Sequence, residues 1–148
     1  MPAADGRLRV LFLCTGNSCR SQMAEGWARA LKPAEIDAHS AGTDPHGLNP
    51  LAVRAMREAG VDISSHRSKR PEEIGVAFDV VVTVCGAADA ACPAFHGART
   101  VHVGFDDPPR LAAGAAGDDE AMPHYRRVRD EIRAFVATLP ASLGATHR

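Results

Sequence analysis

At 148 residues, 45% hydrophobic, 24% charged and with a formal net charge of −1, the chain has enough length for one domain with its own core and too little for two. The balanced charge argues against a nucleic-acid surface, and no apolar run approaches the ~20 residues that cross a bilayer. The stretch Met1-Pro2-Ala3-Ala4-Asp5-Gly6-Arg7 lacks the apolar segment of a signal peptide, so a cytoplasmic location is expected; there, four cysteines are more often catalytic, redox-active or metal-binding than cross-linked.

The apolar run Leu8 to Leu13 reads as a buried strand, followed by the tight segment Cys14-Thr15-Gly16-Asn17-Ser18-Cys19-Arg20-Ser21. From Ser21 to about Leu31, apolar residues at Met23, Trp27, Ala30 and Leu31 predict a helix that Pro33 ends. Ile36 to Ala41 is a strand closed by Gly42, and Asn49-Pro50 opens a helix through Val53, Met56 and Ala59 that Gly60 stops. Phe78 to Val84 is the clearest strand, nearly continuous in branched apolar residues, and Thr100 to Val103 is another. Leu111 to Asp119, rich in Ala, Gly and Asp, reads as a surface loop. His124 to Leu139 puts Tyr125, Val128, Ile132, Phe135, Val136 and Leu139 on one face of an amphipathic helix. This alternation predicts an α/β fold over residues 1–148: a single-domain three-layer sandwich, with a four-stranded parallel sheet flanked by helices on both faces and no internal repeat.

The strand-to-helix segment is built to hold a tetrahedral oxyanion over a nucleophile. A tight loop there turns successive backbone N–H groups inward, and the helix N-terminus adds partial positive charge at the same spot. The cradle runs through Thr15, Gly16, Asn17, Ser18, Cys19, Arg20 and Ser21, with the Arg20 guanidinium offering a planar fork to two anion oxygens. Cys14, at the floor, is the thiol expected to ionise most easily, because helix N-termini and cations lower a thiol pKa into the range of roughly 3.5 to 7.5. A buried cysteine at an ordinary strand-to-loop junction is the alternative.

Ligands in such folds bind beyond the carboxyl ends of the strands, where Cys14, Cys85 and the pair Asp106-Asp107 should gather. Neighbouring strands lie ~4.8 Å apart, so Cys14 and Cys85 fit as redox partners, although Cys85 also reads as a small residue capping a buried strand. If Cys85 to Cys92 were helical, their alpha carbons would stand roughly 10 Å apart, too far for a disulfide. Bridging them requires unwinding a short segment bounded by Gly86 and Pro93, which predicts a redox switch. The gaps of four residues between Cys14 and Cys19 and six between Cys85 and Cys92 fit zinc pairs poorly, so no metal is expected. Asp107 precedes Pro108, which favours extended backbone and suits a general acid; Asp106 is the alternative by adjacency, and two turn-forming aspartates before a Pro-Pro pair is the plainer reading. Cys19 is assigned a structural role. Asn17 is read as the residue that tolerates left-handed backbone, and Ser21 as either a hydroxyl donor to Cys14 or a helix cap. The seven histidines show no ligand spacing and are taken as surface or core residues.

These residues resemble the thioredoxin-coupled arsenate reductases of the low-molecular-weight tyrosine phosphatase fold. The likeness rests on CTGNSCRSQMAEGW from Cys14 to Trp27, HSAG from His39 to Gly42, and VVTVC with six residues to Cys92. GFDDP from Gly104 to Pro108 and RRVRDEI from Arg126 to Ile132 extend it over nearly the whole chain. The resemblance implies reduction of arsenate to arsenite, with Cys14 as first nucleophile, Arg20 as oxyanion clamp, Asp107 as general acid, and Cys85 then Cys92 as relay thiols. Thioredoxin is the implied reductant, no cofactor is required, and a monomer is expected. A potassium ion beside the loop is held in some members by a carboxylate near the position of Lys69 and by partners matching Asn17, Glu25 and Ser40; here the Lys69 ammonium is expected to replace the cation. The stretch Leu111 to Ala121 is longer than in compact members. A phosphatase for phosphate monoesters leaves Cys85 and Cys92 without work, and a non-enzymatic thiol or arsenite sensor leaves Cys14, Arg20 and Asp107 idle.

Overall fold

In the computed structural model, residues 6–84 and 98–144 are described, so Cys85, Cys92 and the segment between them lie outside the described residues. Four parallel strands, β1 (Leu8–Cys14), β2 (Ile36–Gly42), β3 (Val80–Thr83) and β4 (Arg99–His102), form one sheet in the order β2-β1-β3-β4. Leu13 is in register with Ala41 on one side and Thr83 on the other. The order reverses direction at β1, so the loop leaving that strand sits at the switch point of the sheet.

The helices are α1 (Arg20–Leu31), α2 (Pro50–Glu58), α3 (Pro108–Leu111), α4 (Asp118–Val136) and α5 (Ala141–Gly144), with a 3₁₀ turn at Pro71–Glu73. Val10, Phe12 and Val82 pack on one sheet face against Met23 of α1, Met56 of α2 and Ile132 of α4, all fully buried. Each such side chain contributes about 1.5–3 kcal/mol by leaving water. On the opposite face Leu11, Leu13 and Val81 are covered by Phe78, Ile74 and Val76. The layered parallel sheet is the architecture expected. Among the described residues, however, the three longer helices share one face.

Local signals act as the sequence suggests at α2. Asn49 caps it, its Oδ1 accepting from the backbone N–H groups of Leu51 at 2.8 Å and Ala52 at 3.2 Å, and Gly60 leaves it at φ +90°. The main difference is α4. It starts at Asp118, within the stretch read as loop and ahead of the expected start at His124, and it carries Pro123 in its interior. Asp118, Asp119 and Glu120 face the positive end of the helix dipole, and Ala121 and Met122 are buried, which holds these turns despite the proline.

Candidate active site

Cys14 ends β1 and is 4% exposed, at the base of the loop that runs to Arg20, the first residue of α1. A neighbouring segment fixes the loop by taking its carbonyls one after another. The N–H groups of Thr43, Asp44, His46 and Asn49 donate to the carbonyls of Cys14, Thr15, Gly16 and Ser18 at 3.3, 2.8, 2.9 and 2.9 Å. Gln22 Nε2 takes the carbonyl of Asn17 at 3.1 Å, and Ser68 Oγ also donates to that of Gly16 at 2.8 Å. These bonds engage the carbonyls of residues 14 to 18, the arrangement that lets backbone N–H groups turn toward an anion. Gly42, opposite Cys14 in the sheet, makes room: a Cβ there would stand 2.5 Å from the Thr15 carbonyl oxygen.

Asn17 is the hinge of the loop, the one non-glycine among the described residues with positive φ, at 48°. Its amide is used completely. Nδ2 donates to Ser21 Oγ at 2.9 Å and to Ser40 Oγ at 3.0 Å; Oδ1 accepts from Gln22 Nε2 at 3.1 Å and from the Lys69 N–H at 3.0 Å. Ser21 therefore serves as a partner of Asn17 inside the helix, not as its cap. Gln22 is itself oriented by the Arg67 carbonyl and by His66 Nδ1 at 3.0 Å from its Oε1. Because Gln22 Nε2 donates, Oε1 must accept, so His66 carries its proton on Nδ1. Burial holds the His66 pKa below the usual imidazole range, opposed by the Glu25 charge. His66 thus supports the loop, a role its isolated position in sequence gave no sign of.

Arg20, at the end of the loop that begins at Cys14, meets Asp107. Arg20 Nη1 donates to the Phe105 carbonyl at 2.9 Å, Nη2 lies 3.4 Å from Asp107 Oδ1, and Nε is buried without a hydrogen-bond partner among the described residues. Asp107 has extended backbone (φ −92°, ψ 103°), and its side chain does not cap α3. Asp106 is directed away, to Arg127 Nη2 at 3.0 Å. The geometry therefore separates the two aspartates and leaves Asp107 beside the anion cradle. Cys19 is 3% exposed, and burial pushes its thiol far above the ordinary thiol range against the pull of Arg20, which makes it a packed, unreactive group. Asn49, whose Nδ2 donates to the Tyr125 hydroxyl at 3.1 Å, ties the loop wall to α4.

The implied potassium site is filled by the protein itself. Glu25, 3% exposed, accepts from Ser40 Oγ at 2.6 Å through one oxygen, and its other oxygen lies 2.7 Å from Arg29 Nη2. With Asn17 Oδ1 also taken, the ligand set implied by the resemblance does not fit an added ion. Nor is Lys69 the replacement: its ammonium donates to the Arg67 carbonyl at 3.1 Å, and burial lowers its pKa against the opposing charge of Glu25. The cation in contact with Glu25 is Arg29.

Residues 9–148 match the family model described as low molecular weight phosphotyrosine protein phosphatase. The arsenate reductase of Halalkalibacterium halodurans is 49% identical over 131 residues, covering 87% of this chain and 92% of that protein. A solved arsenate reductase in the phosphate binding state superposes with a TM-score of 0.76 at 31% identity, over 93% of this chain and 99% of its own. The thioredoxin-dependent arsenate reductase of Corynebacterium glutamicum gives 0.66 at 25% identity, over 95% of this chain and 65% of its own.

Proposed function

The chain belongs to the low molecular weight phosphotyrosine protein phosphatase family, alongside its arsenate reductases, and from that premise we propose that it reduces arsenate to arsenite through a thiol relay. The observation that carries this reading is the strand-to-helix loop with its carbonyls tied up, buried Cys14 at its start and the Arg20–Asp107 pair at its end. Arsenate has the shape and charge the cradle accommodates. Cys14 attacks arsenic, and Asp107 protonates the departing oxygen, giving a Cys14–arsenic adduct. The Cys85 thiolate then attacks Cys14 Sγ; the sulfur–arsenic bonding pair passes to arsenic, arsenite leaves and a Cys14–Cys85 disulfide forms. Cys92 displaces Cys14 from that disulfide, and the resulting Cys85–Cys92 bond is reduced by thioredoxin.

Chain connectivity supports the second step. The Val84 N–H donates to the Leu13 carbonyl at 2.9 Å, so the residues that precede Cys85 and Cys14 are hydrogen-bonded to each other. Thioredoxin as reductant draws support from the Corynebacterium glutamicum likeness. No helix among the described residues is long and apolar enough to cross a membrane. We place the activity in the cytoplasm, carried out by a monomer.

The test is arsenate-dependent NADPH oxidation with thioredoxin and its reductase. The wild type should turn over, and Cys92→Ser should stop turnover while permitting one round of arsenite formation. Absence of arsenite from the wild type would reject the reading. Phosphate esters fit the same cradle and acid, so weak phosphatase activity is expected. Pro109 and Arg110 follow Asp107-Pro108 where phosphotyrosine would favour aromatic side chains. A phosphatase would be indifferent to Cys92→Ser.

A further inference from the structure

We infer that Arg29 is a positioning residue for the oxyanion loop: its guanidinium holds the buried Glu25 side chain in place and so sets the geometry of Asn17. This deepens the arsenate-reductase reading and rests on it for the identity of the oxyanion. Glu25 is buried in the middle of α1, where an ionised carboxylate is costly unless paired. Arg29 lies one helical turn later on the same face. Its Nη2 bridges Glu25 Oε2 at 2.7 Å and the Ala38 carbonyl of β2 at 3.1 Å, so the pair also pins α1 to the edge strand.

From Glu25 the donors run in one direction. Asn17 Nδ2 donates to Ser40 Oγ, and Ser40 Oγ donates to Glu25 Oε1. That order requires Glu25 Oε1 to accept, and the Arg29 guanidinium on Oε2 holds the side chain where it does so. Asn17 is held in its left-handed conformation at the far end of the chain of contacts. Lys69 senses the Glu25 charge but spends its ammonium on the Arg67 carbonyl, so it does not take this place. The outer side of Arg29 faces a cleft of about 290 Å³ lined also by Gly26, Val61, Asp62 and His66, which gives small solutes access to it.

Calorimetric titration with inorganic phosphate tests the inference. Arg29→Ala should weaken phosphate binding roughly tenfold, at the low end of the loss seen when groups that orient a binding shell are removed. Millimolar guanidinium, entering by the cleft, should restore most of it, and Arg29→Lys should retain most of the affinity. In a Glu25→Gln background, where the carboxylate that Arg29 grips is gone, adding Arg29→Ala should produce no further loss. Should Arg29→Ala fail to fold, Arg29→Gln against Arg29→Lys makes the same comparison. Wild-type affinity in the uncharged variants, or an equal loss in both backgrounds, would overturn the proposal. Arsenite formation by the wild type is measured alongside: a protein that binds phosphate but yields no arsenite fails as a reductase, while the Arg29 result still stands or falls on its own.

Discussion

Gly42→Ala perturbs the anion loop without touching a reacting group. Gly42 has no positive φ, so alanine meets no backbone strain, and the entire effect is steric. The added Cβ would lie 2.5 Å from the Thr15 carbonyl oxygen, 2.8 Å from the Asn17 nitrogen and 2.9 Å from the Asn17 Cβ. All three are loop atoms tied to β2, α1 and the 43–49 segment, so no flexible side chain can yield. Restoring an ordinary contact requires a shift of about 0.9 Å, against a tolerance of about 0.5 Å for a preorganised site. Displacements near 1 Å cost about 10²-fold in rate, and overpacking of this kind costs about 1–3 kcal/mol of stability. The variant should therefore remain folded, melt several degrees lower, and lose roughly two orders of magnitude in single-turnover arsenite formation, with phosphate binding weakened in parallel. Calorimetric phosphate titration and rapid-quench arsenite analysis measure both. A folded Gly42→Ala protein with wild-type phosphate affinity would refute the claim that the close approach of β2 shapes the cradle.

The aspartate pair provides a second contrast. Asp107→Asn should lower the single-turnover rate by about 10²- to 10⁴-fold while phosphate binding persists, because the proposed proton donor is lost but the loop is not. Asp106→Asn, whose target is paired with Arg127 on the surface, should change that rate less than about twofold, and the reverse ranking would reassign the acid. Cys19 predicts an alkaline effect. Burial raises its folded-state pKa, so its contribution to stability is complete below the unfolded thiol value of ~8.5 and is lost as pH rises above it. Denaturant melts above pH 8.5 should show stability falling by up to about 1.4 kcal/mol per pH unit from this group, and Cys19→Ala should remove that slope. An unchanged slope would mean that the thiol ionises freely in the folded protein.

The parts of this architecture governed by local pattern are legible in the sequence, and those governed by tertiary contact are not. The apolar runs Leu8 to Leu13 and Phe78 to Val84 mark β1 and β3, shorter stretches ahead of Gly42 and Gly104 mark β2 and β4, and Asn49-Pro50 marks the start of α2 by simple capping chemistry. The first turns of α4 escape because the Ala-, Gly- and Asp-rich stretch Leu111 to Asp119 reads as a loop, whereas burial of Ala121 and Met122 holds the helix from Asp118 on through Pro123. At the site, Cys14, Arg20 and Asp107 stand out by their chemistry. Gln22 and His66, 44 residues apart, have no shared local signal, and only the fold brings them together. Glu25 and Arg29 are visible as an ordinary helical pair at i and i+4, a spacing that usually denotes a weak surface contact. The burial of Glu25 beside Ser40 is what changes its meaning, and it moves the cationic role expected of Lys69 to Arg29.

The proposed relay is tested most directly by counting free thiols after a single arsenate turnover without reductant, with the oxidised cysteines mapped by mass spectrometry. Loss of two thiols, located at Cys85 and Cys92, with Cys14 and Cys19 reduced and one arsenite released, is the predicted result. Release of arsenite with all four thiols intact, or with oxidation confined to a pair that excludes Cys92, would contradict it.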